Sequence, residues 1–482
     1  MTDPPMRRPE PSPSGELSFD RFATSVLLVV ATALAACSQV QPDFWWLLRA
    51  GKDIWHTGRV PLVDHYSYTA AGRDWPNHEW LWEATAYGLH HVGGMPLVAL
   101  ATAAVVCLTL RVILGLTAAT GYVVPLVLAA TIPLLSVSWT TRPQVTSLLL
   151  FAVTMLLLGR ERHWLVPPLF LVWANLHAQV VMGGVLLATA TGISALRWLR
   201  LRTEEERART MRLALVTVVS AAATLVNPLG PGLWRYVLGA NGRPGQHAIQ
   251  EWHNAFELTP ATVWFWAVAA LVVVVALRRP ERLRGWPAQV VVAGTLAMAP
   301  LAVLAIRNIP FFVVAAAPLL MTLLEFRTER AIGTVPRARQ AVVASATLAA
   351  LVVAAAWSFA PSALGWRPVP RGLQTPVRAC PGHLFNGYEA GAALIWWVPD
   401  VKVFVDNRQD PYPAAVIDSL FATTRTGYRH VFGEYDVTCA LTASDDPLGS
   451  YLQQDGWRAT YVDRTESLWV PPSTPRATSA TE

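Results

Sequence analysis

Charged side chains are scarce in this chain, at 15% of 482 residues, against about 25% in soluble globular proteins. With 53% of the residues hydrophobic, that shortage excludes an ordinary water-soluble domain. Cysteine is scarcer still, four in all, and no Cys-x-x-Cys pair is present for a metal. The phosphate-cradling GxxxxGK[ST], the zinc-binding HExxH and the nucleophile elbow GxSxG are missing too. Any reaction is therefore not driven by nucleotide on a P-loop. No repeat of fixed period is found. The formal charge of +6 does not point to nucleic acid, because most arginines stand in short clusters between apolar runs, as in cytoplasmic loops. No cleavable signal is evident: Phe22–Val40 is long enough to span and has no small-residue cleavage site, so it reads as a retained first helix.

What the chain has in quantity is apolar runs and tryptophan. The 21 Trp suit many membrane interfaces, where indole rings collect. After Phe22–Val40 the runs are Pro96–Leu116, Tyr122–Ser138, Val145–Leu158, Trp164–Leu176, Val180–Leu196, Leu213–Val226, Ala261–Leu277, Ala288–Ile306, Phe311–Leu324 and Ala341–Phe359. They predict a mainly α fold, a polytopic transmembrane bundle of about eleven helices, several shorter than the ~20 residues of an ideal span. Arginine clusters at 160–162, 197–212, 278–284 and 327–339 all fall on the cytoplasmic side if the N-terminus is inside. That places the molecule in the plasma membrane with its C-terminal region outside. Trp80–His91 is ambiguous between a surface helix and a separate short span, which would change the parity.

The expected domains are a disordered cytoplasmic tail over 1–18, a transmembrane domain over 19–360 with an outside loop at 41–95, and an outside α/β domain over 361–482. In the tail, Val401–Asp406 alternates as a strand does. Cys37 and Cys107 lie in apolar helices and read as inert filler. Cys380 and Cys439 both fall outside, where they form either a disulfide or two free thiols.

Polar and ionisable residues at membrane depth are costly and usually mark function. Here they gather at the outer helix ends: Asp43, His78 and Glu79, Arg142, Asn175, His177 and Gln179, Glu251 and His253, Arg307 and Asn308. If the helices pack as a bundle, these ends line one outward-facing cavity. Asp43 opens a segment whose Phe44, Leu47, Leu48, Ile54 and Trp55 make one helical face, and whose Arg49, Lys52, Asp53 and His56 make the other, an interfacial amphipathic helix. Asp43 either caps it or supplies a catalytic or metal-binding carboxylate, and it can do both. Glu79 is either a favourable helix-start charge or a second catalytic carboxylate. His78 is a general base, a metal ligand or a plain loop histidine. Arg142 and Arg307 hold a phosphate or anchor helix ends at the headgroups. Asn175 and His177 line a break or bond between helices.

The segments Pro42–Gly51, Asn77–Trp80, Arg142–Gln144, Trp173–His177 and Asn386–Gly391 resemble a bacterial group of membrane proteins of the GT-C type. The general topology resembles the GT-C glycosyltransferases, which include oligosaccharyltransferases, protein O-mannosyltransferases and cell-wall arabinosyltransferases. The resemblance implies a donor sugar on a polyprenyl phosphate and an envelope polysaccharide, lipid or protein as acceptor. It implies a catalytic role for Asp43, helped by Glu79, with Arg307 or Arg142 at the donor phosphate; His78 joins the catalytic candidates on its own residue type and place. In its role Asp43 either acts as base or holds a divalent metal, Mg or Mn. Many members carry two adjacent acidic residues in the first loop, whereas Phe44 follows Asp43 here. Two other functions stay open on the sequence: a lipid or solute transporter or flippase, and a non-catalytic partner whose outside tail recruits envelope proteins.

Overall fold

The structure, a computed structural model, describes residues 17–37, 40–239, 250–325, 334–336, 339–345, 347–348, 367–420 and 425–472. The expected N-terminal tail and most of the run Ala341–Phe359 lie outside the described residues. Among the described residues, the bundle is built from α1 Phe19–Ala36, α2 Asp43–Thr57, α3 Trp80–Gly115, α4 Val123–Ser136, α5 Gln144–Gly159, α6 Val166–Leu176, α7 Val180–Leu201, α8 Glu204–Ala223, α9 Gly232–Leu238, α10 Pro260–Arg278, α11 Trp286–Leu304 and α12 Ile309–Leu324, and residues 339–345 are helical as well. Among the described residues, six segments are long and apolar enough to cross a membrane, namely α1, α3, α7, α10, α11 and Ile306–Leu324; α4 and α5 are shorter apolar helices. The protein is an integral membrane helical bundle. The sequence predicts about eleven helices, several shorter than a full span; six of the described segments have full length, and most of the eleventh run lies outside the described residues. The run at 213–226 belongs to α8, whose first turn carries Glu204, Glu205 and Glu206 and whose Thr203 side chain caps it.

The ambiguity at Trp80–His91 resolves into one broken helix. α3 runs through to Gly115, with non-helical geometry only at Gly93 and Gly94. Gly94, at φ 62° and ψ −162°, takes a conformation essentially open to glycine alone. Pro96, two residues on, loses no helical hydrogen bond there, since it starts the second segment. α12 forms the centre of the bundle, packed on α11, α4, α10 and α5, with all but two of its side chains buried. At one end of the bundle lies an arginine-carboxylate network. Arg197 and Arg209 meet Glu206 at 2.6 and 2.9 Å, and Arg209 also meets Glu161 at 3.2 Å. The starts of α5, α7 and α12 all lie at the other end.

α2 departs from the expected surface helix. Phe44 to Leu48, Ala50 and Gly51 are buried, because α2 sits between α3 and the helix Tyr388–Trp397 of the C-terminal region. The charged face serves only its second half, where Arg49 pairs with Asp53 at 3.1 Å.

The C-terminal region carries a four-stranded sheet, β3 His383–Asn386, β4 Val437–Ala443, β5 Arg458–Val462 and β6 Glu466–Val470, in the order β3-β4-β6-β5. β3 and β4 are parallel and the other pairs antiparallel. The two remaining short strands, β1 Leu17–Ser18 and β2 Thr334–Val335, pair with each other. A bond between Cys380 and Cys439 ties the start of β3 to β4. The expected strand at Val401–Asp406 is irregular chain instead, with bends at Val401 and Phe404. The Asn386 side chain accepts from the Phe404 N–H at 2.8 Å and donates to the Val405 carbonyl at 2.8 Å, taking the place of a neighbouring strand. Val403 makes a single parallel bridge to Ser67 of the first loop.

Candidate active site

A cavity of about 880 Å³ opens between the helix ends and the C-terminal region. Three helices begin at it, and each brings a basic or imidazole group with a carboxamide close behind: Arg142 and Gln144 at α5, His177 and Gln179 at α7, Arg307 and Asn308 at α12. Free N–H groups and the positive dipole end at each start favour an anion. Gln144, Gln179 and Asn308 are all buried. Both amide atoms of Gln179 and the Asn308 carbonyl oxygen have no hydrogen-bond partner. Buried polar atoms are rarely left so, and those two side chains are placed to meet a polar ligand.

A chain of alternating charges crosses the cavity. Asp43 Oδ2 lies 2.9 Å from Arg142 Nε. Arg142 reaches Glu251 at 3.4 Å, and Glu251 reaches Arg307 at 3.4 Å. The Arg307 guanidinium lies over the Trp252 ring, 4.4 Å from its centre. Burial pushes the Asp43 carboxyl up to about 6, with Glu251, Glu79 and Asp406 adding repulsion and Arg142 opposing. Glu251 moves down: burial opposes its charge, and Arg142 and Arg307 outweigh burial. Arg142 holds its proton more tightly than usual, since Asp43, Glu251 and Glu79 outweigh its desolvation.

Glu79 stands in a second cluster. Its Oε1 lies 3.1 Å from His78 Nε2 and 3.4 Å from His177 Nε2. Burial opposes the Glu79 charge, but the hydrogen bond and charge of His78 prevail and hold it near 2. Burial opposes the His78 charge too, and Glu79 and Asp410 outweigh it, so His78 titrates above its usual range. Burial drives His177 down to about 3, so it is neutral. His177 is extended, at φ −169° and ψ 140°, where α6 stops. Its Nδ1 lies 2.9 Å from Ser147 Oγ, which also accepts the Trp173 indole N–H at 2.9 Å.

The expected cavity set is mostly brought together: Asp43, His78, Glu79, Arg142, His177, Gln179, Glu251, Arg307 and Asn308 all line it. Two residues stand apart. Asn175 holds the helix break, donating to the Leu171 and Val226 carbonyls and accepting from the Trp80 indole. His253 faces Glu257 at 2.8 Å and is outside the lining. The sequence reading also missed a contribution from the C-terminal region. Tyr388, Asn407, Gln409 and Asp410 line the cavity, and the Asn407 amide donates to Asp43 Oδ1. Tyr236 packs against His78 at a tilt of 34°, with ring centres 4.4 Å apart, and donates to Asp410 at 3.1 Å. The sequence signals were the segment Asn386–Gly391, which contains Tyr388, and the polar run Asp406–Asp410 at the end of an apolar segment.

Searches by sequence find no matching family model and no matching curated protein. Comparison of folds does find matches. The chain is similar to the archaeal oligosaccharyltransferase AglB from Archaeoglobus fulgidus, solved with an inhibitory peptide and a dolichol-phosphate. The TM-score is 0.53 at 12% identity, over 88% of this chain and 69% of that one. It is also similar to ArnT from Cupriavidus metallidurans bound to undecaprenyl phosphate, with a TM-score of 0.52 at 12% identity, over 94% of this chain and 98% of that one. Both are polytopic membrane glycosyltransferases of the GT-C type. The chain has the GT-C fold. Within that fold, the cavity lies where the helix starts meet the first loop and the C-terminal region.

Proposed function

We propose that this GT-C protein is a membrane glycosyltransferase that moves a sugar from a polyprenyl-phosphate donor to a cell-envelope acceptor. The observation that carries this reading is the charge chain Asp43–Arg142–Glu251–Arg307 at three helix starts. It joins a carboxylate suited to take a proton to cations suited to hold a phosphate. The arginine clusters at the opposite end support a cytoplasmic face there, so the cavity opens on the outer face of the cytoplasmic membrane. Tyr388 and Asn407–Asp410 of the C-terminal region then border that cavity from outside.

The acceptor hydroxyl oxygen attacks the anomeric carbon. The bond from that carbon to the phosphate oxygen breaks, and its electron pair leaves with the polyprenyl phosphate. The hydroxyl proton passes to Asp43, whose raised pKa of about 6 suits a base working near neutrality. Arg307 and Arg142, with the helix starts, hold the phosphate charge. Both Asp43 oxygens are engaged, one by Arg142 and one by Asn407. An arriving phosphate competes for Arg142 and frees Asp43 Oδ2 for the acceptor.

The reading is tested with purified protein, envelope extract and a panel of polyprenyl-phosphate hexose and pentose donors, following release of polyprenyl phosphate. Wild type is expected to release it from one donor class. Asp43→Asn is expected to slow release by roughly 10²–10⁴-fold, the usual worth of a general base. Release from no donor, or equal rates in both proteins, contradicts the reading and shifts weight to transport.

A further inference from the structure

The resemblance to GT-C transferases leaves Asp43 as base or as holder of a divalent metal, and the geometry there does not suit a metal. Asp43 Oδ2 faces the Arg142 guanidinium at 2.9 Å and Oδ1 accepts from Asn407. A cation placed on this carboxylate would have to displace one donor while lying against a buried guanidinium. No second acidic residue adjoins it, since Phe44 follows.

We propose instead that His78, Glu79 and His177 form a binding site for one divalent transition ion of the zinc class. One ligand atom from each lies within 4.8 Å of the other two. Glu79 Oε1 is 3.1 Å from His78 Nε2 and 3.4 Å from His177 Nε2. A tetrahedral ion bonded at about 2.0–2.1 Å keeps its ligands roughly 3.3 Å apart, so both imidazole nitrogens already stand near ligand spacing from Glu79. The outer atoms also fit. Metal-bound histidines nearly always have their second nitrogen held by a carbonyl, carboxylate or water. His78 Nδ1 lies 3.0 Å from the Pro76 carbonyl. His177 Nδ1 lies 2.9 Å from Ser147 Oγ, itself oriented by Trp173. Both rings are thereby aimed with Nε2 toward Glu79. All three residues line the cavity, so the remaining coordination positions are open to a water or a ligand oxygen. Two imidazoles and one carboxylate select ions such as Zn²⁺ or Co²⁺, whereas Mg²⁺ keeps to oxygen ligands and waters.

Metal binding does not depend on the transferase reading; only the ion's role in the reaction does. The test uses full-length protein in detergent, stripped with chelator and then loaded with Zn²⁺ or Co²⁺. One ion per chain is expected by elemental analysis. The Co²⁺ form should show visible absorption bands, and a Cu²⁺-loaded form should show electron-paramagnetic couplings to two imidazole nitrogens. His177→Ala and Glu79→Gln should lower Zn²⁺ affinity by more than tenfold, Ser147→Ala by about tenfold, and Asp43→Asn should keep the ion. No bound ion in wild type, no imidazole coupling, or an ion lost in Asp43→Asn and kept in His177→Ala each overturns the proposal. The spectra need only wild type, so a variant that misfolds does not block the result. Binding of polyprenyl phosphate is read separately on stripped protein, so either proposal can fail while the other stands.

Discussion

Asp43 faces charge on several sides. Arg142 lowers its pKa, Glu251, Glu79 and Asp406 raise it, and Tyr388 lies close by. As the base it must be ionised, so the rate of the proposed transfer is expected to rise with pH through about 6. Removing a negative neighbour favours the ionised form: Glu251→Gln should move that rise to lower pH. Asn407→Asp adds a negative neighbour and should move it to higher pH. The pH dependence of kcat/KM checks both signs. Asp43, Glu79, Arg142 and Arg307 were legible in the sequence, because ionisable residues at the ends of apolar runs are rare and costly. Asn407 was not: 364 positions separate it from Asp43, and an asparagine after an apolar run looks like an ordinary turn residue. Nor was it legible that Asn175 ties helices together rather than facing the cavity, since its type is the same in both roles.

At the scale of elements, helix positions were legible from apolar periodicity, as α4, α5 and α10 show within a few residues of expectation. Close approaches were not. A Cβ at Gly51 would lie 2.1 Å from the Glu83 carbonyl oxygen, and one at Gly391 would lie 2.0 Å from the Val405 carbonyl oxygen. α2 is therefore pressed onto the backbone of α3, and the helix Tyr388–Trp397 onto the segment 401–406. These two contacts fix where Asp43 and Asn407 meet. Gly51→Ala and Gly391→Ala must push backbone apart, and each is expected to destabilise by about 1–3 kcal/mol, as overpacking does. Thermal unfolding in detergent should show a lowered Tm for each, while Gly184→Ala, where a Cβ meets nothing within 4 Å, should not.

Across the whole molecule, the C-terminal region is latched to the first loop through a fully buried arginine. Arg408 lies 2.6 Å from both Asp64 and Asp406, between the rings of Trp75 and Tyr66 at 4.7 and 4.9 Å. Asp64 in turn accepts from Ser67 at 2.6 Å. Asp406, Arg408 and Tyr412 are thereby spent inside the protein and offer no surface to a partner. Breaking a buried pair on one side leaves the partners' charges uncompensated and typically costs about 3–5 kcal/mol. Arg408→Ala is expected to release the segment 403–412 from the first loop, seen as faster hydrogen exchange there. Arg408→Lys should not restore it, since an ammonium cannot reproduce the forked contact to two carboxylates or the stacking. A separately patterned tail was legible from the change in patterning, and its residues do line the cavity. The tail's share in the cavity was not legible, because it depends on contacts between segments far apart in the chain.

The central claim is that the cavity holds a lipid phosphate through its arginines while Asp43 acts on the acceptor. The most direct measurement is binding of a short polyprenyl phosphate to purified wild type, Arg307→Ala and Asp43→Asn. Binding that weakens at least tenfold in Arg307→Ala and persists in Asp43→Asn is the predicted result. No binding by wild type, or binding indifferent to Arg307, would contradict it.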